Sequence, residues 1–155
     1  MNDTALLDLF TSDIGTAKQL LELIDSEFQA LTERDLPRLD SLLSEKQPLL
    51  AVLQQHGNER SRLLQNAGLS ADHEGLTALA SKSSAGDQLL ARSEELSALL
   101  QRCQEANLRN GRLIRANQAS VGSVLGILRG AETPGLYDSR GGAARIAQQR
   151  PLSQA

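Results

Sequence analysis

The sequence has 155 residues, of which 40% are hydrophobic and only 2% aromatic, and its net charge at pH 7 is −3. One domain of ordinary size fits this length, but the shortage of aromatic residues excludes an aromatic-rich core. Leucine and alanine are abundant, and Glu, Gln, Arg and Ser fill much of the rest, a composition that favours long helices over a sheet. The sequence therefore predicts an all-α protein.

Charge, cysteine content and hydropathy narrow the class further. The slightly acidic balance argues against a nucleic-acid binder. The single cysteine, Cys103, cannot form an internal disulfide, and the first residues lack the positive start and apolar run of a signal peptide. The uncharged stretch at residues 116–128 is too short and too polar to span a bilayer. We expect a cytoplasmic protein without membrane insertion.

The first predicted helix covers residues 3–33 and carries a heptad pattern. Its apolar residues recur in steps of three and four, the spacing of a narrow stripe that faces a partner helix. The members of this stripe are Leu7, Phe10, Ile14, Ala17, Leu21, Ile24, Phe28 and Leu31.

A second helix of matching length is predicted over residues 36–66. Asp35 can cap it, and Pro37 lies in its first turn, where no intrahelical N–H is needed. Equal lengths and a short connection predict an antiparallel coiled-coil hairpin in which residue i lies roughly opposite residue 69 − i. The predicted seam of this helix contains Leu39, Leu43, Lys46, Leu50, Leu53, Gly57, Arg60, Leu64 and Ala67.

This register places Arg60 on the seam, within reach of Asp8 or Asp13. Gly68 is expected to end the second helix, because glycine is the usual residue just past a helix C-terminus. A short helix around 72–81 is possible, followed by a loop over 81–86 in which Ser84 can cap the next helix.

The third long helix is predicted from about residue 85 to residue 130. Its asparagines fall on interior positions, where an unpaired amide costs roughly 1–3 kcal/mol, and Gly111, Gly122 and Gly126 weaken it further. This pattern predicts a marginal seam that can open, unless these residues flank a more apolar stripe through Leu108 and Leu113. The predicted seam contains Leu96, Leu100, Cys103, Asn107, Asn110, Ile114, Asn117, Val121, Val124 and Leu128.

Beyond Gly130 the periodicity stops, and residues 131–155 contain too few apolar residues to bury a core. We therefore divide the chain into a helical domain, residues 1–130, and a flexible C-terminal tail, residues 131–155.

Charge is distributed unevenly along the sequence. Residues 1–45 carry ten acidic and three basic side chains, whereas residues 92–155 carry five acidic and nine basic ones. This complementarity favours the first and third helices lying side by side, the alternative being two separately solvated faces. Four arginines of the third helix fall off its seam and form an outward basic stripe, either for an acidic partner or simply for solvent: Arg102, Arg109, Arg112 and Arg115.

Catalytic and metal-binding patterns are missing from the sequence. His56 and His73 share no spacing with Cys103 or with paired carboxylates that would make a metal site or an activated nucleophile. We expect both histidines on the surface and Cys103 as a small buried hydrophobe. Glycine-rich phosphate-binding motifs do not occur either. The sequence indicates neither an enzyme nor a cofactor.

Four local patterns together resemble the FlgN family of flagellar export chaperones. One is the leucine-rich first helix. The others are Leu42–Leu50 opening into Arg60–Leu64, the segment Asn107–Ile114 with its Asn-x-x-Asn-Gly motif, and Leu136–Gly141 with Tyr-Asp-x-x-Gly. The last two motifs in this order are fairly specific, whereas leucine heptads recur in unrelated helical proteins.

The resemblance implies a cytoplasmic chaperone of flagellar type III secretion. Such a chaperone binds the C-terminal helical segments of the hook-filament junction proteins FlgK and FlgL and delivers them to the export gate. By position, client binding falls on Asn117, Val121, Val124, Leu125 and Leu128, and gate docking on Tyr137.

A helix-in-groove contact with apolar anchors at spacings of three and four suits a helical client. The alternative is a general coiled-coil scaffold or oligomerisation module, which would bind a second copy of itself and need no client.

Overall fold

The structure is a computed structural model that describes the backbone of residues 2–129 and the side chains of residues 3–117. Four helices make up the described residues, without a strand among them: α1 (Asn2–Glu33), α2 (Leu36–Asn66), α3 (His73–Ala80) and α4 (Gly86–Arg129). The all-α prediction is confirmed, and the three long helices begin and end within one residue of the predicted bounds.

The chain divides into two compact units, and each long helix contributes to both. Unit 1 consists of Met1–Leu23 and Ser41–Cys103. Unit 2 consists of Ile24–Asp40 and Gln104–Ala155. The predicted boundary at residue 130 lies at the end of the described residues and stays a prediction.

The buried stripe of α1 differs in part from the predicted one. Phe10, Ile14, Ala17, Ile24 and Leu31 are buried as expected, whereas Leu7 and Leu21 are only half-buried and Phe28 is 36% exposed. The interior positions that were predicted for those three residues fall instead on Leu6, Leu20 and the charged Glu27. Ile14 and Ala30 are buried beside a stripe that keeps steps of four and three: Leu6, Phe10, Asp13, Ala17, Leu20, Ile24, Glu27 and Leu31.

The reversal from α1 to α2 in unit 2 is made by Arg34 and Asp35. Arg34 adopts the left-handed conformation with φ 57°, and the N–H of Asp35 donates to the carbonyl of Ala30 at 2.9 Å. This pattern of a left-handed residue with a reverse hydrogen bond is a common helix C-terminus. The Asp35 side chain accepts from the N–H of Arg38 at 3.2 Å, so the predicted cap is present.

The seam of α2 contains a charged residue, as its spacing predicted. Lys46 is buried at 3% exposure, and Leu64 is buried near the end of the helix. Ala67, the last residue of the predicted seam, lies beyond the helix and is exposed. Gly68 follows with φ 76°, which confirms the predicted stop.

The short helix α3 is confirmed between α2 and α4. Asp72 caps it by accepting from the N–H of Gly75 at 3.0 Å. Gly75 packs so closely on the backbone of Ser70 that a Cβ atom at position 75 would lie 1.7 Å from the Ser70 carbonyl oxygen. The sequence did not indicate this contact, because it depends on how α3 turns back onto the preceding loop.

In the loop before α4, the hydroxyl that accepts from a backbone N–H is that of Ser83 and not that of Ser84, which was predicted to cap the helix. The hydroxyl of Ser83 accepts from the N–H of Ala85 at 3.0 Å and donates to Asp3 of α1 at 2.8 Å. Because this contact places the start of α1 beside the start of α4, and Ala17 lies beside Cys103 further along both helices, α1 and α4 run parallel in unit 1.

Aliphatic side chains from all four helices form the core of unit 1. Full burial of each large side chain contributes about 1.5–3 kcal/mol. The only aromatic ring in this cluster is that of Phe10, in keeping with the composition of the chain. The cluster contains Leu6, Phe10, Ile14, Ala17, Leu63, Leu64, Leu76, Leu89, Leu96 and Leu99.

Candidate functional site

The buried side of α4 follows the predicted seam from Leu96 to Asn110 except at Leu100, and the next two seam residues, Ile114 and Asn117, are half-buried. Cys103, Asn107 and Asn110 are buried, whereas Leu100 is 37% exposed and Leu99 is buried in its place. The alternative stripe through Leu108 and Leu113 is wrong, because Leu108 is 50% exposed and Leu113 is half-buried. Asn107 and Asn110 are therefore interior residues.

Asn110 has its amide satisfied at both ends within unit 2. Its Nδ2 donates to the backbone carbonyl of Ile24 in α1 at 2.8 Å. Its Oδ1 accepts from Nε of Arg109 at 3.1 Å. A buried amide that met no partner would cost roughly 1–3 kcal/mol. These two hydrogen bonds remove that cost and hold α4 against α1.

Arg109 departs from the outward basic stripe that the sequence predicted. Its Nη2 donates to Asp25 at 3.2 Å, and its guanidinium carbon lies 4.2 Å from the centroid of the Phe28 ring. The partly exposed Phe28 is thus covered by a cation, an arrangement worth about 0.5–1 kcal/mol. This ion pair is the charge complementarity that the sequence predicted between the acidic first helix and the basic third one.

The other arginines of the stripe lie on the surface as predicted. Arg102 of unit 1 and Arg112 and Arg115 of unit 2 are exposed. In unit 2 the two exposed arginines follow the exposed Leu108 at intervals of four and three residues. Positions with these intervals share one face of a helix.

A buried carboxylate is the most polar feature of unit 1. Asp13 is 0% exposed, and its two oxygens meet Nη1 of Arg60 and, at 2.6 Å, Nδ1 of His56. The predicted Arg60 partner is confirmed as Asp13. The contact of Asp13 with His56 fits the predicted register, in which residue i lies opposite residue 69 − i.

His56 itself was expected on the surface, and this expectation is wrong. Only 26% of its side chain is exposed, because the ring packs against the carboxylate of Asp13. A carboxylate with both oxygens engaged by side chains of α2 ties two helices together and is not free to act as a base. His73, by contrast, is exposed as predicted.

Cys103 is buried in unit 1, as predicted. Its exposed fraction is 4%, and Sγ lies 3.7 Å from the carbonyl oxygen of Ala17. Among the described residues, no group of three or more His, Cys, Asp or Glu side chains is placed to hold a metal ion. None of the helices in the described part of the chain combines the length and apolar character that crossing a membrane requires.

The predicted binding residues lie on or beyond the last turns of α4. Asn117 is half-buried. The helix continues to Arg129, so the positions of Val121, Val124, Leu125 and Leu128 belong to it, although their side chains lie outside the described residues. At 100° per residue, these positions and Asn117 share an arc of about 100° on the helix. Tyr137 lies outside the described residues.

The family comparison and the comparison with solved structures point to the same family. The profile of the family described as FlgN protein matches residues 1–145. A crystal structure of a flagella synthesis protein, FlgN, from Pseudomonas aeruginosa is 56% identical to this chain with a TM-score of 0.69, and the match covers 80% of this chain and 95% of that one. Among curated proteins, no sequence matches significantly.

Proposed function

The chain belongs to the FlgN family, and on that premise we propose that it is a cytoplasmic flagellar export chaperone. Its clients are the C-terminal helical segments of the hook-filament junction proteins FlgK and FlgL, which it delivers to the type III export gate. Family membership is the observation that carries this proposal, together with a helix α4 that continues to Arg129.

The client-binding element in this proposal is the last part of α4. Positions 117, 121, 124, 125 and 128 share one side of the helix, and the last four, which are valine or leucine, provide apolar anchors at the spacing that a helical client needs. This element is assigned to binding and not to catalysis.

The polar contacts of unit 2 support a seam that opens to admit a client. Asn110 and Arg109 hold α4 to α1 mainly through hydrogen bonds and an ion pair. Such groups exchange their partners for water when the helices separate, so that the net cost is only about 0.5–1.5 kcal/mol per hydrogen bond. An entirely apolar seam would resist separation more strongly.

Tyr137 is assigned to docking on the export gate, after the client has bound. A lone aromatic side chain in a polar segment has no core of its own to fill and provides a large contact area once it is docked. Pro134 and Gly135 precede it and would act as a spacer between α4 and the gate.

Calorimetric titration with C-terminal fragments of FlgK and FlgL tests the client assignment. A chain that ends at Asn117 should keep its helical circular dichroism and lose client binding. A chain that ends at Gly130 is the matched control, since it lacks the tail but keeps all of α4, and it should bind clients normally. Undiminished client affinity in the shorter chain would contradict the assignment.

Gate binding is tested separately with Tyr137→Ala, and with Tyr137→Phe as the control that keeps the ring. We expect Tyr137→Ala to weaken gate binding by about 1–3 kcal/mol and to leave client affinity unchanged. An equal loss of client affinity would place Tyr137 in the client groove instead. A stable oligomer that binds no client would favour the scaffold interpretation.

A further inference from the structure

The end of helix α4 extends beyond the end of α1 in unit 2. The side chain of Asn110 donates to the carbonyl of Ile24, with the same separation of 86 residues that joins the two parallel helices in unit 1. Glu33, the last residue of α1, is therefore roughly level with position 119, whereas α4 continues to Arg129. We call positions 120–129 the α4 extension. It is about 15 Å long, and no part of α1 lies beside it.

Burial along the seam of α4 decreases as the end of α1 is approached. Asn110 is 4% exposed and Gly111 is buried, whereas Ile114 and Asn117 are only half-buried. In the register set by Asn110 and Ile24, these last two residues lie level with the final turns of α1. The cover that α1 provides therefore runs out close to the start of the α4 extension.

The sequence of the seam becomes more apolar where this cover runs out. Two buried asparagines occupy the seam beside α1. In the α4 extension, the same spacing of three and four residues places Val121, Val124 and Leu128. Apolar residues stabilise a protein only when a partner removes them from water. The pattern therefore indicates a second helical partner that continues along the seam after α1 has ended.

The reversal that ends α1 carries the most exposed large apolar side chain among the described residues. Leu36, the first residue of α2, is 68% exposed. Asp35 holds the reversal in place, because its N–H donates to Ala30 and its carboxylate accepts from the N–H of Arg38. Leu36 follows Glu33 closely and so lies roughly level with the start of the α4 extension. It is placed to contact the end of a helix that lies on this extension.

The length of the α4 extension favours a transient helical partner over a second copy of the chain. A symmetric dimer through this face would use about ten residues of each chain, whereas stable interfaces use about 20–30 residues a side. A client that is later released needs only a small contact, as is typical of transient complexes. Continuity with the seam between α1 and α4 also favours a helix as the occupant.

We propose that the client helix of the proposed function, on which this inference rests, lies on the α4 extension as a continuation of α1. The occupant is an amphipathic helix of about three turns. Its apolar face takes the place along the seam that α1 has on the preceding turns of α4. One end of the client helix packs against Leu36, so that the end of the hairpin fixes where on α4 the client lies.

Two exposed leucines of unit 2 provide a matched pair of variants. Leu36→Ser removes the apolar contact at the end of the hairpin. Leu108→Ser makes the same change at a side chain that is 50% exposed, on the opposite side of α4 from the seam positions of the extension. In calorimetric titration with FlgK and FlgL fragments, we expect Leu36→Ser to weaken binding roughly three- to tenfold and Leu108→Ser less than about twofold. Both variants should keep their helical circular dichroism, since both side chains are exposed.

A nitroxide label locates the bound helix on the full chain. The label is attached first to one end of the client fragment and then to the other, and the broadening of amide signals is measured in ¹⁵N-labelled protein. One of the two labels should broaden the amides of Glu33 and Leu36. The other should broaden the amide of Arg129 and leave those two unchanged.

Client binding that leaves Glu33 and Leu36 sharp with both labels, or equal weakening by the two leucine variants, would overturn this proposal and leave the client assignment standing. A stable dimer of the free chain in sedimentation, lost when the chain ends at Asn117, would place a second copy on the α4 extension instead. Tighter client binding by a chain that ends at Gly130 would mean that residues 131–155 occupy it. If the original chain binds no client fragment, the proposed function fails and this inference fails with it.

Discussion

The carboxylate of Asp13 is completely buried and accepts a hydrogen bond from Arg60, 47 residues further along the chain. Only 19% of the Arg60 side chain is exposed, so solvent screens this pair weakly. An isolated buried carboxylate would be costly. The pair therefore makes the packing of α2 on α1 in unit 1 depend on a single arginine and its neighbour His56.

Removing the arginine of this pair should destabilise the chain strongly. We expect Arg60→Met to lower the free energy of unfolding by about 3 kcal/mol, because the charge of Asp13 stays buried with only His56 beside it. Arg62→Met is the control, since the pair of Arg62 with Glu59 is exposed, and it should cost less than about 1 kcal/mol. Urea denaturation followed by circular dichroism measures both. Similar effects of the two variants would show that the burial of Asp13 contributes nothing.

Two glycines of unit 1 should respond in opposite directions to alanine. A Cβ at position 75 would lie 1.7 Å from the backbone oxygen of Ser70, so Gly75→Ala must displace the loop before α3. We expect a loss of about 1–3 kcal/mol. Gly15 of α1 has open space around its Cβ position, and Gly15→Ala should stabilise the helix by about 0.5–1 kcal/mol. Thermal unfolding of the two variants checks the difference in sign.

Asp72 should account for part of the decrease in folding stability at acidic pH. Its hydrogen bonds with the Ser70 hydroxyl and the Gly75 N–H hold the pKa of its carboxyl below the ordinary value of 3.8. A lowered pKa in the folded state stabilises the fold above pH 3.8, and this stabilisation is lost as the pH falls through the lowered pKa.

Asp72→Asn keeps the helix cap but cannot titrate. The variant should therefore show a smaller decrease in the free energy of unfolding as the pH falls from neutral to below 3.8. Ser70→Ala, which removes the largest contribution to the lowered pKa, should show part of the same change. Parallel pH profiles for the original chain and Asp72→Asn would be inconsistent with this role.

Asn110 links the stability of unit 2 to the proposed opening of α4. Asn110→Leu exchanges the hydrogen bond with Ile24 for apolar packing, and it should leave the free energy of unfolding unchanged or raise it by up to about 1 kcal/mol. If α4 separates from α1 to admit a client, the same variant should bind FlgK and FlgL fragments more weakly.

Asn110→Ala provides the comparison, because it removes the same hydrogen bond without adding apolar surface. It should lower stability by about 1–2 kcal/mol and leave client binding unimpaired. Calorimetric titration of both variants with FlgK and FlgL fragments measures this difference in client affinity. Client affinity that is unchanged in Asn110→Leu would mean that α4 does not open at this position.

Much of the architecture could be predicted because it is encoded locally. Asp35 and Gly68 mark helix ends through hydrogen bonds and backbone angles within a few residues. The pairing of Arg60 with Asp13 was also predictable, since two helices of equal length and a two-residue connection leave little choice of register.

The buried face of α1 was less predictable. A search for apolar residues at steps of three and four selects Leu7, Leu21 and Phe28. The interior instead takes Leu6, Leu20 and Glu27, because this stripe also places Asp13 against its partners in α2. From the sequence alone, a charged residue is assigned to the surface, because a partner on another helix cannot be identified. For the same reason, the sequence did not reveal that His56 is half-buried.

The hydrogen bonds of Cys103 with Ala17 and of Asn110 with Ile24 both join residues 86 positions apart. The backbone hydrogen bonds around the ends of α2 and α3 are short-range, as between Leu69 and Leu64 or Ser83 and Ala80. The entropy lost on closing a loop grows with the number of residues that it encloses, so short-range contacts form at lower cost during folding. We therefore expect the helix ends and the segment around α3 to become ordered early. Docking of α4 on α1 then comes late, so that a nascent chain leaves the face of α1 that α4 covers exposed until most of the protein has been synthesised.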